Sequence, residues 1–176
     1  MDADRAKYQF GGSASVRADA EGRPGQRRFF LMLSTGTASA RLWIEKEQLR
    51  QLSGLIRELL ETAEIPESAA LPGLPPSNVP SGARAIEFQV GRIGLAYDTS
   101  RDAALVLIND AEEARENARP TVSFWLGRAD ATLLAEQATK VVNAGRPACP
   151  LCGASMDPAG HVCPRSNGHG KVHELA

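Results

Sequence analysis

All the cysteines and histidines of this chain lie between residue 149 and its C-terminal end. The cysteines stand at positions 149, 152 and 163, and the histidines at positions 161, 169 and 173. Thiol and imidazole groups are the commonest protein ligands of zinc, and they are frequent nucleophiles and general bases in enzymes. The residues before position 149 therefore contain neither a Ser-His-Asp site nor a Cys-His site.

The spacing of these residues predicts a metal site with four ligands. Cys149 and Cys152 form a Cys-x-x-Cys pair with a proline inside it and a glycine after it, which is typical of a zinc knuckle. In such a knuckle, a tight turn directs two thiolates and backbone N–H groups toward one point. Turn-forming residues at 157–160 then lead to His161 and Cys163. The predicted ligands of a structural zinc ion are Cys149, Cys152, His161 and Cys163.

The fourth ligand has alternatives. Residues two apart on an extended strand point to opposite faces, so His161 and Cys163 reach one ion only if the backbone turns near them. Otherwise His169 becomes the fourth ligand, and His173 is a more distant candidate. A redox role for the Cys-x-x-Cys pair would place it between a strand and a helix. Here the pair follows a predicted helix and precedes turn-forming residues, which disfavours a redox role. The remaining alternative is that the cysteines are inert and bind no metal.

The composition is typical of one soluble globular domain with a small appendage. Of 176 residues, 43% are hydrophobic and 23% are charged, and the net charge of −1 provides no overall attraction to a polyanion. The N-terminal residues lack the pattern of a secretory signal, and no apolar run reaches the roughly 18 residues of a membrane span. We therefore expect a cytoplasmic protein with no membrane partner, in which clustered cysteines bind metal rather than form disulfides.

In the first half, the apolar pattern predicts strands followed by a helix. Residues 8–20 read as a weak strand interrupted by glycine, and residues 27–33 and 38–44 as a β-hairpin. The period then changes to about 3.6 residues, which predicts a helix over 46–63. Five prolines within 64–83 predict a linker or surface loop. The apolar stripe of the helix comprises Leu49, Leu52, Ile56, Leu59, Leu60 and Ala63.

The second half has a similar order. Residues 85–98 predict either a pair of strands or one long bulged strand, because isolated glycines in strands often mark bulges. Apolar runs predict further strands at 104–108 and 120–126, and residues 129–144 predict a second helix. The apolar face of this helix comprises Leu134, Ala138, Val141 and Val142.

An offset of 82 residues superposes the two halves. It places Trp43 on Trp125 and the first helical stripe on the second. A strand-strand-helix pseudo-repeat explains this match, although strand-to-helix junctions of similar composition would also produce it. The predicted fold is α+β, with a mostly antiparallel sheet and two amphipathic helices. We expect a domain over 1–145, with halves at about 8–63 and 84–145 joined by the linker 64–83, and a zinc-ribbon tail over 146–176.

Two charged clusters have both a functional and an ordinary interpretation. The acidic residues suit a cation or general acid/base site, but they fall at predicted hairpin ends, where solvated carboxylates are common. The basic residues suit a phosphate or nucleic-acid surface with Phe29 and Phe30 for stacking, but they alternate with glutamates, as on a mixed helix surface. The acidic residues are Asp98, Asp102, Asp110, Glu112 and Glu113. The basic residues are Arg23, Arg27, Arg28, Arg41, Lys46, Arg50 and Arg57.

Several motifs resemble a known bacterial family. They are Gly-Arg-Pro-Gly-Gln-Arg-Arg-Phe-Phe-Leu at 22–31, Phe-Gln-Val-Gly at 88–91, and Arg-Pro-Ala-Cys-Pro-Leu-Cys-Gly at 146–153, followed by Gly-His-Val-Cys-Pro-Arg at 160–165. Together they are similar to domain-of-unknown-function family 3090. The resemblance covers nearly the whole chain and implies a cytoplasmic bacterial protein with no assigned activity. In that family an aromatic residue can replace His169, which favours His161 as the ligand.

These observations favour a zinc-binding, non-enzymatic adaptor whose ribbon and strand edges contact an unidentified protein partner. A nucleic-acid or nucleotide-binding module that uses the ribbon and the turn at 23–28 is the first alternative. Its affinity would fall steeply with salt concentration. An enzyme that depends on the carboxylates between Asp98 and Asp110 is the second alternative.

Overall fold

The structure is a computed structural model, and it describes residues 6–23, 26–64, 72–80, 85–113, 118–144, 149–153, 156 and 162–165. Within these ranges, seven strands and two helices form an α+β fold, as predicted. In chain order they are β1 (Tyr8–Phe10), β2 (Ser15–Glu21), β3 (Arg28–Ser34), β4 (Ser39–Ile44), α1 (Lys46–Thr62), β5 (Ala85–Asp98), β6 (Ala103–Asp110), β7 (Val122–Gly127) and α2 (Arg128–Asn143).

The strands form one sheet in the order β1-β7-β6-β5-β4-β3-β2. Pairing is antiparallel within β2-β3-β4 and within β5-β6-β7, where strands that follow one another in the chain are neighbours with no helix between them. It is parallel between β4 and β5, where the chain crosses over through α1, and between β1 and β7. The prediction of a mostly antiparallel sheet is therefore confirmed.

The segment predicted as one weak strand contains two strands at opposite edges of the sheet. β1 pairs with β7 at one edge, and β2 pairs with β3 at the other. Gly11 and Gly12 lie in the turn between them, where the proline-rich stretch approaches closely. A Cβ atom on Gly11 would lie 2.0 Å from the carbonyl oxygen of Pro75, and one on Gly12 would lie 2.4 Å from Cβ of Leu74. The prediction of a single strand was therefore wrong. In the sequence, Gly11 and Gly12 resembled an irregularity within one strand, whereas in the structure they form the turn that separates two strands.

Residues 72–80 of the proline-rich stretch pack against β1 and the glycine turn. The backbone N–H of Gly12 donates to the carbonyl oxygen of Pro75, and that of Gly11 donates to the Ser77 hydroxyl. Gln9 and Asn78 exchange two backbone hydrogen bonds of 3.0 and 2.8 Å. This part of the stretch is neither helix nor central strand, in agreement with its proline content.

Strand β5 is a single long strand with an irregularity between Val90 and Ile93. The sequence left open a pair of strands or one long bulged strand, and the structure shows the long bulged strand. The bulge also anchors the start of α1, since Gln48 Nε2 donates to the carbonyl oxygen of Gly91 at 2.9 Å. The Gln48 side chain in turn accepts from the backbone N–H of Glu45, which satisfies a donor at the helix N-terminus.

Both helices pack their apolar stripes into a core shared with the strands. In α1, the predicted residues Leu49, Leu52 and Ile56 are buried, and Leu59 and Leu60 are half-buried. The buried residues of α2 are Ala131, Leu134, Ala135, Ala138 and Val142. No helix in the described part of the chain is long and apolar enough to cross a membrane.

The two halves repeat a unit of three strands and one helix, which is one strand longer than the sequence pattern indicated. An offset of 82 residues pairs buried positions of the two helices. The paired positions are Leu49 with Ala131, Leu52 with Leu134, Ser53 with Ala135, and Ile56 with Ala138. The same offset relates Arg57 of α1 to Thr139 of α2, and these two residues are in direct contact. The Arg57 guanidinium donates to the Thr139 hydroxyl at 3.0 Å.

The two tryptophans are equivalent in this repeat. Neither Trp43 nor Trp125 belongs to the core that the helices cover, although both lie on the last strand of their half. The guanidinium of Arg28 lies 3.9 Å from the ring centre of Trp43, and that of Arg101 lies 5.9 Å from the ring centre of Trp125. Each tryptophan thus has a cation–π partner from the start of the preceding strand or the turn before it.

Candidate metal centre

The first two cysteines lie in a tight turn at 149–153, shortly after α2. The N–H of Gly153 donates to the carbonyl oxygen of Cys149 at 2.8 Å and closes the turn. Gly153 has a φ of +73°, a left-handed conformation that glycine adopts without steric cost. The third cysteine comes from residues 162–165, and this second segment is tied to the turn by a 3.0 Å hydrogen bond from Arg165 to the carbonyl oxygen of Leu151.

The thiols of Cys149, Cys152 and Cys163 converge on one point. All three sulfur atoms lie within 4.8 Å of one another, and those of Cys149 and Cys163 are 3.8 Å apart. Two sulfurs bound to one tetrahedral ion at about 2.3 Å would themselves be separated by about 3.8 Å. A disulfide requires a separation of about 2.05 Å. This geometry fits ligands of a shared ion.

The backbone of the turn favours the charged form of the first thiol. The N–H groups of Cys152 and, to a smaller extent, Leu151 hydrogen-bond to the sulfur of Cys149 and hold its pKa below the usual range of a thiol. The thiolate is the form that binds a metal. Cys149 and Cys163 are buried and Cys152 is half-buried, so a bound ion would be largely shielded from water.

The structure brings together the three cysteines of the predicted ligand set, and together they could hold a metal ion. His161, His169 and His173 lie outside the described residues, so the fourth ligand remains a prediction. The Cys-x-x-Cys pair lies in an isolated turn. A redox pair is usually found at the start of a helix, so the position of this pair does not match a redox site.

The acidic cluster considered from the sequence is divided between the two ends of β6. Asp98 and Asp102 precede its start, Asp110 is its last residue, and Glu112 and Glu113 follow its end. An eight-residue strand separates its ends by roughly 20 Å. The structure therefore does not assemble these carboxylates into one site.

Asp98 has local partners. Its side chain accepts hydrogen bonds from the side chains of Ser100 and Arg101 in the β5–β6 turn. The hydroxyl of Ser100 is the largest cause that lowers the pKa of this carboxyl group, and Arg101 adds to the effect. Asp98 thus has the ordinary role of a carboxylate that stabilises a hairpin turn.

Asp102 belongs to a network that the sequence reasoning missed. Nε of Arg128 donates to its two oxygens at 2.8 and 3.0 Å, and the Tyr97 hydroxyl donates to the same carboxylate. Burial and the hydrogen bond to Asp102 raise the pKa of Tyr97 to about 12. The Tyr97 hydroxyl is also the largest cause that lowers the pKa of Asp102. The sequence contained one indication of this network, which is the position of Arg128 at the start of a helix. The N-terminal end of a helix carries a partial positive charge, so an arginine there needs an anionic partner.

The predicted basic surface is also divided. Arg28 and Arg41 stack over the rings of Trp43 and Phe30, away from the core. The arginines of α1 have other partners: Arg50 pairs with Glu47, and Arg57 donates to Thr139. Arg27 lies beside α2, where it lines a cleft. These cations therefore do not form one continuous face.

The sequence profile of a family described as "Protein of unknown function (DUF3090)" matches residues 8–163. The chain belongs to this family. The match extends from the first residue of β1 to the third cysteine, so it includes both halves of the sheet and the cysteine cluster. The resemblance noted in the sequence is therefore confirmed. Comparison of the chain with curated proteins and with solved structures found no match.

Proposed function

We propose that this protein is a non-enzymatic adaptor whose C-terminal ribbon is held by a structural zinc ion and contacts a protein partner. The ligands are Cys149, Cys152 and Cys163, with His161 as the fourth. Three thiolates and one imidazole are a common structural zinc set, and soft sulfur ligands in a tetrahedral arrangement select zinc over magnesium or calcium. The 3.8 Å separation of the Cys149 and Cys163 sulfurs supports this ligand set.

The exposure of two apolar side chains beside the cysteines supports the interaction role. Leu151 lies between the first two cysteines and is 53% exposed, and Val162 precedes the third and is 81% exposed. Single exposed apolar residues are common on protein surfaces, but here two lie on short turns joined by the cysteine cluster. A turn fixed by a metal loses little entropy when a partner binds, so such residues are suited to docking.

The nucleic-acid alternative has weaker support. Phe30 and Trp43 are only 6% and 8% exposed, and arginines cover their rings. Phe29 belongs to the core. Stacking on bases requires an accessible ring face, and none of these three side chains has one. The carboxylate-enzyme alternative is weaker for a different reason, since its acidic residues lie at opposite ends of β6.

Affinity capture from a bacterial lysate of the source organism tests the proposal. The purified chain should retain one stoichiometric protein partner, and Leu151→Asp should lose it while keeping its bound zinc. Leu133→Asp is the matched control, because Leu133 on α2 is 50% exposed and lies outside the ribbon. Recovery of nucleic acid without protein, absence of any partner, or equal loss in both variants would contradict the adaptor role.

A further inference from the structure

The two edges of the sheet differ in how they are covered. At the β1 edge, Gln9 and Asn78 exchange two backbone hydrogen bonds, so the proline-rich stretch caps this side. At the other edge, β2 pairs with β3 along its whole length and with no other strand of the described part of the chain. A cleft of about 310 Å³ between Arg17–Ala20 and α2 leaves space beside this edge. The outer edge of β2 is thus available to a further strand.

The pairing pattern shows which backbone groups of β2 point outward. At the β3–β4 turn, the N–H of Thr35 donates to the carbonyl oxygen of Ala38. Backbone groups alternate along a strand, so the odd-numbered residues of β3 face β4 and its even-numbered residues face β2. These even-numbered residues are paired with the odd-numbered residues of β2. The residues of β2 that face outward are therefore Val16, Ala18 and Ala20.

One outward N–H has a partner that is characteristic of an unpaired edge. The N–H of Ala20 donates to the carboxylate of its own neighbour, Asp19, at 2.8 Å. A strand that pairs with β2 would offer a carbonyl oxygen to Ala20 in place of this side chain. The carboxylate of Asp19 would then be available to a cation on the added strand.

A second copy of β2 fits this edge when it runs antiparallel and the two-fold axis passes beside Ala18. Ala18 then lies opposite Ala18 of the other copy, and Val16 lies opposite Ala20. All of these residues face outward, so each pair exchanges two backbone hydrogen bonds. Backbone hydrogen bonds of this kind provide the affinity when a strand is added to a sheet edge.

The charges of β2 match this register. Ala18 belongs to the core beneath the helices, so alternation places Arg17 and Asp19 on the opposite face, where both are exposed. In the register centred on Ala18, Arg17 of each copy lies opposite Asp19 of the other, and Ser15 lies opposite Glu21. A shift by two residues in either direction would oppose two arginines or two aspartates, which is unfavourable.

We propose that two copies of this chain form a dimer through β2, antiparallel and centred on Ala18, so that their sheets become continuous. Charged side chains on an edge strand usually prevent pairing with other strands. Here they select one partner and one register, because the sequence of β2 is complementary to itself. This interface is separate from the cysteine cluster and does not depend on the adaptor role.

Sedimentation velocity of the full chain over a range of concentrations tests the dimer. The wild type should dimerise, and Asp19→Arg should weaken dimerisation by at least about tenfold, because two attractive cross-strand pairs become repulsive. The double variant Arg17→Asp/Asp19→Arg should restore it, since exchange of the charges preserves both pairs. Glu58→Arg is the matched control, because Glu58 is exposed on α1. A chain that stays monomeric at millimolar concentration, or no recovery in the double variant, would overturn the proposal.

Hydrogen exchange followed by NMR identifies the surface that the dimer uses. The amides of Val16, Ala18 and Ala20 should exchange more slowly as the protein concentration rises, because they gain partners in the dimer. The amide of Arg17 faces β3 and should be protected at every concentration. Exchange at Ala18 that does not change while the chain dimerises would place the interface elsewhere and contradict the proposal.

Discussion

The guanidinium of Arg128 donates from Nε to both carboxylate oxygens of Asp102, at 2.8 and 3.0 Å. This pair joins the start of α2 to the turn between β5 and β6. The same guanidinium donates to the carbonyl oxygen of Leu60 at 2.9 Å, near the end of α1. One side chain therefore connects the two helices and the sheet, and links the first half of the repeat to the second.

Replacement of Arg128 by methionine should destabilise the fold. Asp102 would remain as a largely buried carboxylate without its cation, and the carbonyl of Leu60 would lose a donor. We expect a loss of about 2–4 kcal/mol in the free energy of unfolding. Urea denaturation followed by circular dichroism measures this quantity.

Arg50→Met provides the control for that measurement. Arg50 also pairs with a carboxylate, Glu47, but both side chains are largely exposed. Its replacement should change stability by less than about 1 kcal/mol. Similar losses in the two variants would show that the Arg128 network is no more than a surface ion pair.

The raised pKa of Tyr97 predicts a loss of stability in alkaline solution. The folded value is about 12 and the ordinary value is 10.0, so the unfolded chain loses its phenolic proton first as pH rises. The contribution of Tyr97 is therefore complete below pH 10 and is lost between about pH 10 and 12. Urea denaturation at pH 9 and pH 11 should show a larger decrease for the wild type than for Tyr97→Phe.

A spectroscopic measurement checks the same assignment. The difference in tyrosinate absorbance between the wild type and Tyr97→Phe isolates the titration of this phenol. Its midpoint should lie near pH 12 in the folded protein. A midpoint near pH 10 would mean that Tyr97 does not donate to Asp102 in a buried network.

Much of the fold could be predicted from local patterns. The helical stripe beginning at Leu49 and the hairpin of β3 and β4 depend on periodicity alone, and both are observed. The separation of β1 from β2 could not be predicted, because it depends on a contact between the glycine turn and Pro75, which lies far along the chain. The parallel pairing of β1 with β7 likewise joins residues from opposite ends of the domain.

The close contact at Gly11 gives a stability prediction. Gly11→Ala would place a methyl group against the backbone of residues 75–77, where there is no space for it. We expect destabilisation of about 2 kcal/mol or more, because backbone atoms would have to move. Gly36→Ala is the matched control, since a Cβ atom there meets nothing within 4 Å. Equal thermal stability of the two variants would contradict the packing of the proline-rich stretch on β1.

The site was only partly predictable for a similar reason. Spacing alone identified the cysteines, because a short turn determines the positions of Cys149 and Cys152. The Arg128 network could not be found in this way, because Tyr97, Asp102 and Arg128 are brought together by the hairpin and by the packing of α2.

Cys152→Ser should destabilise the ribbon and leave the sheet domain folded. Loss of one thiolate removes a metal ligand, and a small metal-bound segment without a core of its own depends on its ion for order. We expect proteolysis to remove residues 146–176 from this variant and leave the preceding domain intact. Digestion of the whole chain at the same rate would show that the ribbon supports the domain.

The metal centre is the central claim, and its stoichiometry can be measured directly. Elemental analysis of the purified chain should find about one zinc ion per chain, as expected for a closed site with four protein ligands. His161→Ala should lower this content and His169→Ala should leave it unchanged. A content far below one zinc per chain in the wild-type protein would contradict the assignment of Cys149, Cys152 and Cys163 as zinc ligands.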